Sequence, residues 1–294
     1  MLYEIQKAAD PKDYPQLLKD WFTFHTGQPL HLDHPYTYNE KIQWMKLYDS
    51  TPLKTRLADK YLVREYVKET VGEKYLVKLY GVWDSFDEID FDALPDQFVL
   101  KTNHGTGTTV VVRDKKSLDI DALRKKMNDY LSHNYAYMCG LELQYRDIPP
   151  KIMAEEYLEE ISENGPDLLD YKVHCFDGKA KYFQIIGNRS FADHSANSIM
   201  LDLDWKPVDL QYFPNFEPYK VPPKRPDNYR EMIEVAEKLS KGFSYVRVDL
   251  YDINGRILLG EMTFTPASGL FTWSNEAANR LLGDMIHLPT DDSN

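Results

Sequence analysis

Along residues 245–264 the chain reads YVRVDLYDINGRILLGEMTF, with apolar and polar positions alternating on both sides of Asn254-Gly255. Period-two alternation predicts two half-buried strands, and Asn-Gly between them predicts a hairpin. DYKVHCFDGKAKYFQII repeats the pattern around Asp177-Gly178. YLVKLYGVW, FVLKT, TTVVV and KIMAEEYLEE are β-branched or aromatic runs between turn residues, and predict further strands. Elsewhere the spacing turns helical. Thr37-x-x-Glu40 forms a capping box ahead of Ile42, Trp44, Met45 and Leu47, and Asp59 caps a helix carrying Leu62, Val63, Tyr66 and Val67, with Gly72 as its stop. Asp119 opens a helix through about Tyr130, and NYREMIEVAEKLSKGF forms another that stops near Gly242. Hairpins dominate and no strict βαβ repeat exists. The expected class is therefore α+β with antiparallel sheets.

The last hairpin raises a question of register. A two-residue turn would set Val248 opposite Glu261 and put Asp249 and Glu261 on opposite faces. A three-residue loop, Ile253-Asn254-Gly255 with Gly255 left-handed in a bulge, pairs 249 with 259 and 247 with 261. Arg247, Asp249, Glu261 and Thr263 then share one face and the apolar residues share the other, so the three-residue loop is expected. Two carboxylates beside a hydroxyl suit a hard cation such as Mg²⁺, which keeps waters and binds substrate phosphates. A cross-strand Arg247–Glu261 salt bridge is the structural alternative. The TPASG turn that follows favours the site, because such loops often bring backbone close to a ligand.

FVLKTNHGTGTT places Lys101, His104, Gly105, Thr106 and Gly107 between two predicted strands. It lacks the G-K-[ST] ending and the following helix of a P-loop. His104 either contacts a phosphate or stiffens the loop.

Composition narrows the partners. Lys+Arg 35 against Asp+Glu 47 gives a net charge of −12, which argues against nucleic acid or an anionic membrane as the main partner. No apolar run reaches the roughly 18–20 residues of a membrane span, and the first residues lack a signal-peptide pattern. Cys139 and Cys175 form no C-x-x-C; two buried thiols and a cytoplasmic location are expected. Only the tail TDDSN is of low complexity. His31 and His34 lack metal-ligand spacing and belong to a structural loop, while His174 reads as a core histidine. Asp202-Leu203-Asp204 is a D-x-D, the metal–nucleotide-sugar signature of many glycosyltransferases, and marks the alternative function.

Taken in order, NEKIQWMKLYD, DKYLVREYV, PDQFVLKTNHGTG, AEEYL, DYKVHCFDGK, KLSKGFSYVRVDLY and GEMTFTPASG resemble the TupA-like ATP-grasp family, from about Trp21 to about Gly269. That family is named for teichuronopeptide biosynthesis and linked to bacterial surface polysaccharides. The resemblance implies an ATP-grasp fold, two α+β lobes clamping ATP between antiparallel sheets. It implies a mainly helical segment over 1–75, a small lobe with a glycine-rich flap over 76–154, and a large lobe over 155–294. Lys60 and Lys101 are then implied to contact the ATP phosphates beneath Gly105, Thr106 and Gly107, with Lys172 a further candidate. Glu155, Glu156 and Leu158 would face base and ribose. Asp249 and Glu261 would hold Mg²⁺, with Thr263 where the family commonly has Asn, and Arg247 would meet the transferred phosphoryl group. The implied reaction is ATP-dependent ligation of a small-molecule or saccharide carboxylate to an amine.

Overall fold

The computed structural model of the chain describes residues 2–159, 168–189, 195–210 and 216–289; Glu160, which ends KIMAEEYLEE, and the tail TDDSN lie outside the described residues. Its helices are α1 (Leu2–Ala8), α2 (Tyr14–Thr26), α3 (Tyr38–Tyr48), α4 (Pro52–Ala58), α5 (Val63–Thr70), α6 (Ile120–Ser132), α7 (Tyr229–Leu239) and α8 (Glu276–Asp284). Its strands are β1 (Leu79–Trp83), β2 (Phe98–Thr102), β3 (Val110–Val112), β4 (Ile152–Glu156), β5 (Asp170–Phe176), β6 (Lys179–Gly187), β7 (Ala196–Asp202), β8 (Phe216–Pro218), β9 (Tyr245–Ile253) and β10 (Arg256–Thr263).

Local chemistry sets most of these boundaries. The Thr37/Glu40 capping box closes both ways at the start of α3. Asp59 departs from expectation. It ends α4, and its carboxylate accepts the N–H groups of Tyr61 and Leu62, so α5 starts only at Val63. Thr51 and Pro52 explain the difference, because together they nucleate an extra helix just before it. Asp177 and Gly178 both take positive φ, as the tight β5–β6 turn requires.

The strands form two sheets, one of four in the order β1-β4-β2-β3 and one of six in the order β10-β9-β5-β6-β7-β8. Every pairing is antiparallel except β7 with β8, so the α+β expectation holds. Each sheet seals one face. Phe98, Leu100, Ile152 and Ala154 pack against Leu123 and Met127 of α6. Val173, Cys175, Phe183, Val246 and Val248 pack against Met232, Val235, Ala236 and Leu239 of α7. Burying each such aliphatic side chain contributes about 1.5–3 kcal/mol, which holds each sheet in place and leaves its other face for polar groups. Cys175 is buried as expected, but Cys139 is exposed, on a segment that follows no strand or helix period. No described helix is long and apolar enough to cross a membrane.

The β9–β10 hairpin corrects the expected register. Ile253 pairs with Arg256, so the turn has only two residues, Asn254 at φ 51° and Gly255 at φ 85°. Two left-handed residues match the strand twist better than a three-residue loop. The extra residue sits instead inside β10, at Gly260. The ladder runs Leu259↔Leu250, skips Gly260, and resumes with Glu261↔Asp249 and Thr263↔Arg247. The expected face survives, with each pairing displaced by two residues, because both registers have the same parity. A Cβ on residue 260 would stand 3.0 Å from the Tyr251 ring and 3.3 Å from the Asp249 carbonyl, so the bulge favours glycine.

Candidate active site

On the polar face of the six-stranded sheet, cross-strand pairing sets Glu261, Asp249, Lys172 and Gln184 in one row and Thr263, Arg247, His174 and Tyr182 in the next. Arg247 grips Asp249 with two bonds, Nε to Oδ1 and Nη2 to Oδ2, both 2.7 Å. Lys172 Nζ donates to Asp249 Oδ2 at 2.5 Å and lies 3.2 Å from Asp170. Thr263 Oγ1 donates to Glu261 Oε1 at 3.0 Å and accepts from Arg247 at 3.2 Å. Burial alone would raise the Glu261 carboxyl, but Lys60, Lys172 and Arg247 outweigh it and hold the pKa at about 2. Burial would likewise depress Arg247, and Asp249 reverses that and raises it.

Facing this surface is the four-stranded sheet. Lys101, on β2, pairs with Glu155, on β4, and Arg64 Nη1 lies 3.4 Å from the same carboxylate. The glycine-rich loop beyond β2 is anchored at its root. Asn103 donates from Nδ2 to Asp59 Oδ2 and to the Pro149 carbonyl, each at 3.0 Å, and accepts the Lys151 N–H at 2.7 Å. Thr102 and Thr108 join their hydroxyls at 2.8 Å across the loop's neck. Gly105 is buried under the Tyr135 ring, where a Cβ would come within 2.5 Å. Thr106 and Gly107 form the exposed tip. Lys60 connects the two surfaces, donating to the Gly105 carbonyl and standing 3.6 Å from Glu261 Oε2. Burial pushes its pKa down.

The fold thus gathers Lys60, Lys101, Gly105, Glu155, Lys172, Arg247, Asp249, Glu261 and Thr263 from separate parts of the chain. Glu156, His104 and Leu158 are placed elsewhere. Glu155 and Glu156 are neighbours on one strand and so point to opposite faces. Glu156 lines a cleft of about 630 Å³ with Tyr80, Arg113 and Tyr157 on the far side. His104 is 1% exposed, bonded through Nε2 to the His133 carbonyl and edge-on to Tyr135. It fits the loop-stiffening alternative, and burial lowers its pKa to about 4. Leu158 packs with Val77, Leu258 and Tyr251 where the two sheets meet. In the D-x-D, Asp202 Oδ1 accepts the N–H groups of Asp204 and Lys206 at 2.9 and 2.8 Å, while Asp204 pairs with Lys206. This makes Asp202 the clasp of a turn. His31 pairs with Glu40 in a structural loop.

Mg²⁺ fits the donor set. Asp249 and Glu261 lie directly opposite each other and offer only oxygens, and no group of three His, Cys, Asp or Glu gathers among the described residues. Two carboxylates completed by phosphate oxygens and water suit a small hard cation. Thr263 directs its proton at Glu261, so it orients that carboxylate.

Several contributors carry no local signal. Asn103 pins the loop through partners 44 and 46 positions away. The turn after β10 is clamped from afar, by Gln43 on the carbonyls of Ser268 and Gly269, Lys46 on Ser268 Oγ, and Gln144 on Thr265 Oγ1. Ala267, Ser268 and Gly269 all hold positive φ, so this loop carries backbone strain beside the site.

Among solved structures, D-alanine–D-alanine ligase from Bacillus anthracis is 15% identical with a TM-score of 0.43, the match covering 78% of this chain and 66% of that one. The corresponding ligase from Helicobacter pylori is 16% identical, TM-score 0.40, covering 79% and 61%. ATP-grasp ligase PsnB complexed with a minimal precursor is 13% identical, TM-score 0.39, covering 73% and 55%. The chain spans about half to two thirds of the length of these proteins. No curated protein matches it. The family model described as TupA-like ATPgrasp matches residues 40–287, from the capping glutamate of α3 to just past α8. The chain therefore belongs to the TupA-like ATP-grasp family.

Proposed function

We propose that the protein is an ATP-dependent carboxylate–amine ligase. The observation that carries this reading is the convergence of Lys60, Lys101, Lys172 and Arg247 on a face holding the opposed pair Asp249 and Glu261. The lobes of the clamp are taken as 76–154 and 155–294, with β4 completing the small sheet as far as Glu156.

A substrate carboxylate oxygen attacks the γ-phosphorus of ATP, the bond to the β,γ-bridging oxygen breaks, and ADP leaves. An amine then attacks the acyl carbon, phosphate departs, and the amine loses a proton to give the amide. Phosphoryl transfer of this kind needs alignment and charge neutralisation rather than a protein nucleophile. Lys101 and Lys60 meet phosphate oxygens from the small-lobe side and Lys172 from the large. Arg247, already forked onto a carboxylate, has the geometry to receive the acyl phosphate. Asp249 and Glu261 would hold Mg²⁺, which neutralises phosphate oxygens. Thr106 and Gly107 at the loop tip close over the phosphates, excluding the water that would hydrolyse the acyl phosphate. The family's association with surface polysaccharides supports a uronic acid or similar carboxylate as acceptor, with an amino acid as the amine.

Release of ADP and phosphate, measured across amino acids with a uronic acid present, tests the reaction. Turnover that requires acceptor and amine together supports it; stabilisation by UDP-sugars with none by MgATP overturns it in favour of glycosyl transfer.

A further inference from the structure

Charge is unevenly spread along this chain. From Lys220 to Arg230 the sequence reads KVPPKRPDNYR, four cations and one acid, while the whole chain carries −12. Setting that segment's +3 aside leaves −15 on the remainder. The segment runs from the edge strand β8 into α7 and packs on the α7 side of the large sheet. Lys172, Arg247, Asp249 and Glu261 occupy the opposite, polar face, so the proposed phosphate chemistry makes no use of it.

Several contacts hold the segment in one shape. The Tyr219 N–H donates to the Ser198 carbonyl at 3.2 Å, and Trp205 Nε1 donates to the Pro223 carbonyl at 2.9 Å. Pro222, Pro223 and Pro226 fix φ at three positions between Tyr219 and α7. The Trp205 ring packs on the core beneath α7 and meets the Tyr229 ring 6.3 Å away, so loop and helix start share one patch. Arg225 lies 4.2 Å from the Tyr229 ring centroid and Arg230 lies 6.0 Å from it. Arg230 Nε also donates to the Tyr229 hydroxyl at 3.3 Å. Two guanidiniums thus gather on one phenol, and among the described residues neither pairs with a carboxylate. Asp204 is held by Lys206, and Glu231 by Lys74 and Tyr75. Like charges repel, so an anion relieves the arrangement.

The kind of anion follows from the apolar residue beside them. Val221 is 75% exposed, the most of any large aliphatic side chain among the described residues. It stands two residues from Pro223, within about 7 Å of it. Lys220, Lys224 and Arg225 flank it and are exposed. A soluble phosphate or a polyanion would meet the cations and leave Val221 in water. A lipid surface offers both halves, phosphates for the cations and an acyl boundary for the valine. The prolines already restrict the loop, so seating its apolar tip costs little further backbone freedom. The −15 on the remainder repels the same surface. Only this patch can therefore face it, and screening confines the attraction to about 8 Å at physiological salt.

We propose that residues 220–230 dock the protein on an anionic membrane face, with Val221 entering the interface and Lys220, Lys224, Arg225 and Arg230 meeting lipid phosphates. The candidate active site, on the other face of the sheet, is left uncovered. The docking surface does not depend on the ligase reading.

Co-sedimentation of the full chain with lipid vesicles tests it. The chain should bind vesicles of mixed phosphatidylcholine and phosphatidylglycerol, release as salt is raised, and ignore phosphatidylcholine alone. Each cation near such a surface raises affinity about fivefold, so Arg225→Gln/Arg230→Gln should bind at least tenfold more weakly. Val221→Ser should bind about threefold more weakly or worse, having lost its apolar contact. Both variants change exposed side chains and should melt at the wild-type temperature. Should the double variant not fold, Arg225→Gln and Val221→Ser carry the test. No binding to the charged vesicles, or equal binding by wild type and variants, would overturn the docking surface. Weakening in the arginine variant but not in Val221→Ser, with displacement by glycerol phosphate, would reveal a soluble-anion site and also overturn it.

Discussion

The two sheets bring charge to the cleft in different ways. The small sheet contributes one lysine from a strand, Lys101, and relies on a loop whose root is fastened by Asn103, Asp59 and Thr108 while its tip stays exposed. The large sheet contributes a buried lattice in which Arg247 and Lys172 share Asp249, and Thr263 ties Glu261 to Arg247. The first arrangement can move at low cost, because few buried contacts cross the tip. The second cannot, because parting buried charges costs more than parting exposed ones. A clamp needs both, a rigid floor that sets geometry and a flap that admits substrate.

Inserting one alanine between Glu261 and Met262 should break the floor outright. The added residue exchanges the faces of β10 beyond it, sending Thr263 toward the core and Met262 and Phe264 away from it. Loss of cooperative thermal unfolding is expected, and a chain that unfolds like wild type would show the alternation to be incidental. Gly260→Ala is a milder change in the same strand, pressing a methyl on the Tyr251 ring at a cost of about 1–3 kcal/mol, read from urea denaturation.

Next in size is Asp249→Asn. It removes the charge shared by Arg247 and Lys172, so ADP release should fall by roughly 10²–10³, and stability by about 3–5 kcal/mol because cations are left buried. Glu261→Gln separates chemistry from folding, since this side chain is 34% exposed. Turnover should be lost while unfolding stays cooperative, and full MgATP turnover in this variant would remove Glu261 from the site.

On the flap side, Asn103→Ala should cost about 1–3 kcal/mol by unpairing buried groups and raise KM for ATP with little change in kcat. A fall in kcat with KM unchanged would place the loop in the chemical step instead. The smallest effect is one of pH. The Glu261 carboxyl sits at about 2 in the folded chain, against about 4.3 when unfolded. Its contribution to stability is therefore fully present above about pH 4.3 and lost as pH falls through 2. The stability gap between wild type and Glu261→Gln should be constant at neutral pH and close below 4; a gap that ignores pH would mean that Lys60, Lys172 and Arg247 do not hold the charge.

Some of this was legible in the chain and some was not. Parity alone put Arg247, Asp249, Glu261 and Thr263 on one face, since any register that buries Val246, Val248 and Met262 exposes the other set. Where the odd residue sits was not legible: the Asn-Gly turn and Gly260 are both glycine positions, and only the fit against Tyr251 favours the second. Glu155 and Glu156 stand as a pair in the chain, but strand geometry sends adjacent residues to opposite faces. Lys60 could be named only through the family resemblance, because its partners Gly105 and Glu261 lie far along the chain.

The sequence by itself determined the strand and helix types, the two hairpin turns and the polar face, because each follows from period, turn chemistry and capping within a few residues. Tertiary structure decided that Lys60 bridges the sheets, that Asn103 anchors the loop, and that His104 turns inward. Those outcomes depend on which distant groups compete for the same buried donors and acceptors, and that competition exists only once the sheets have packed.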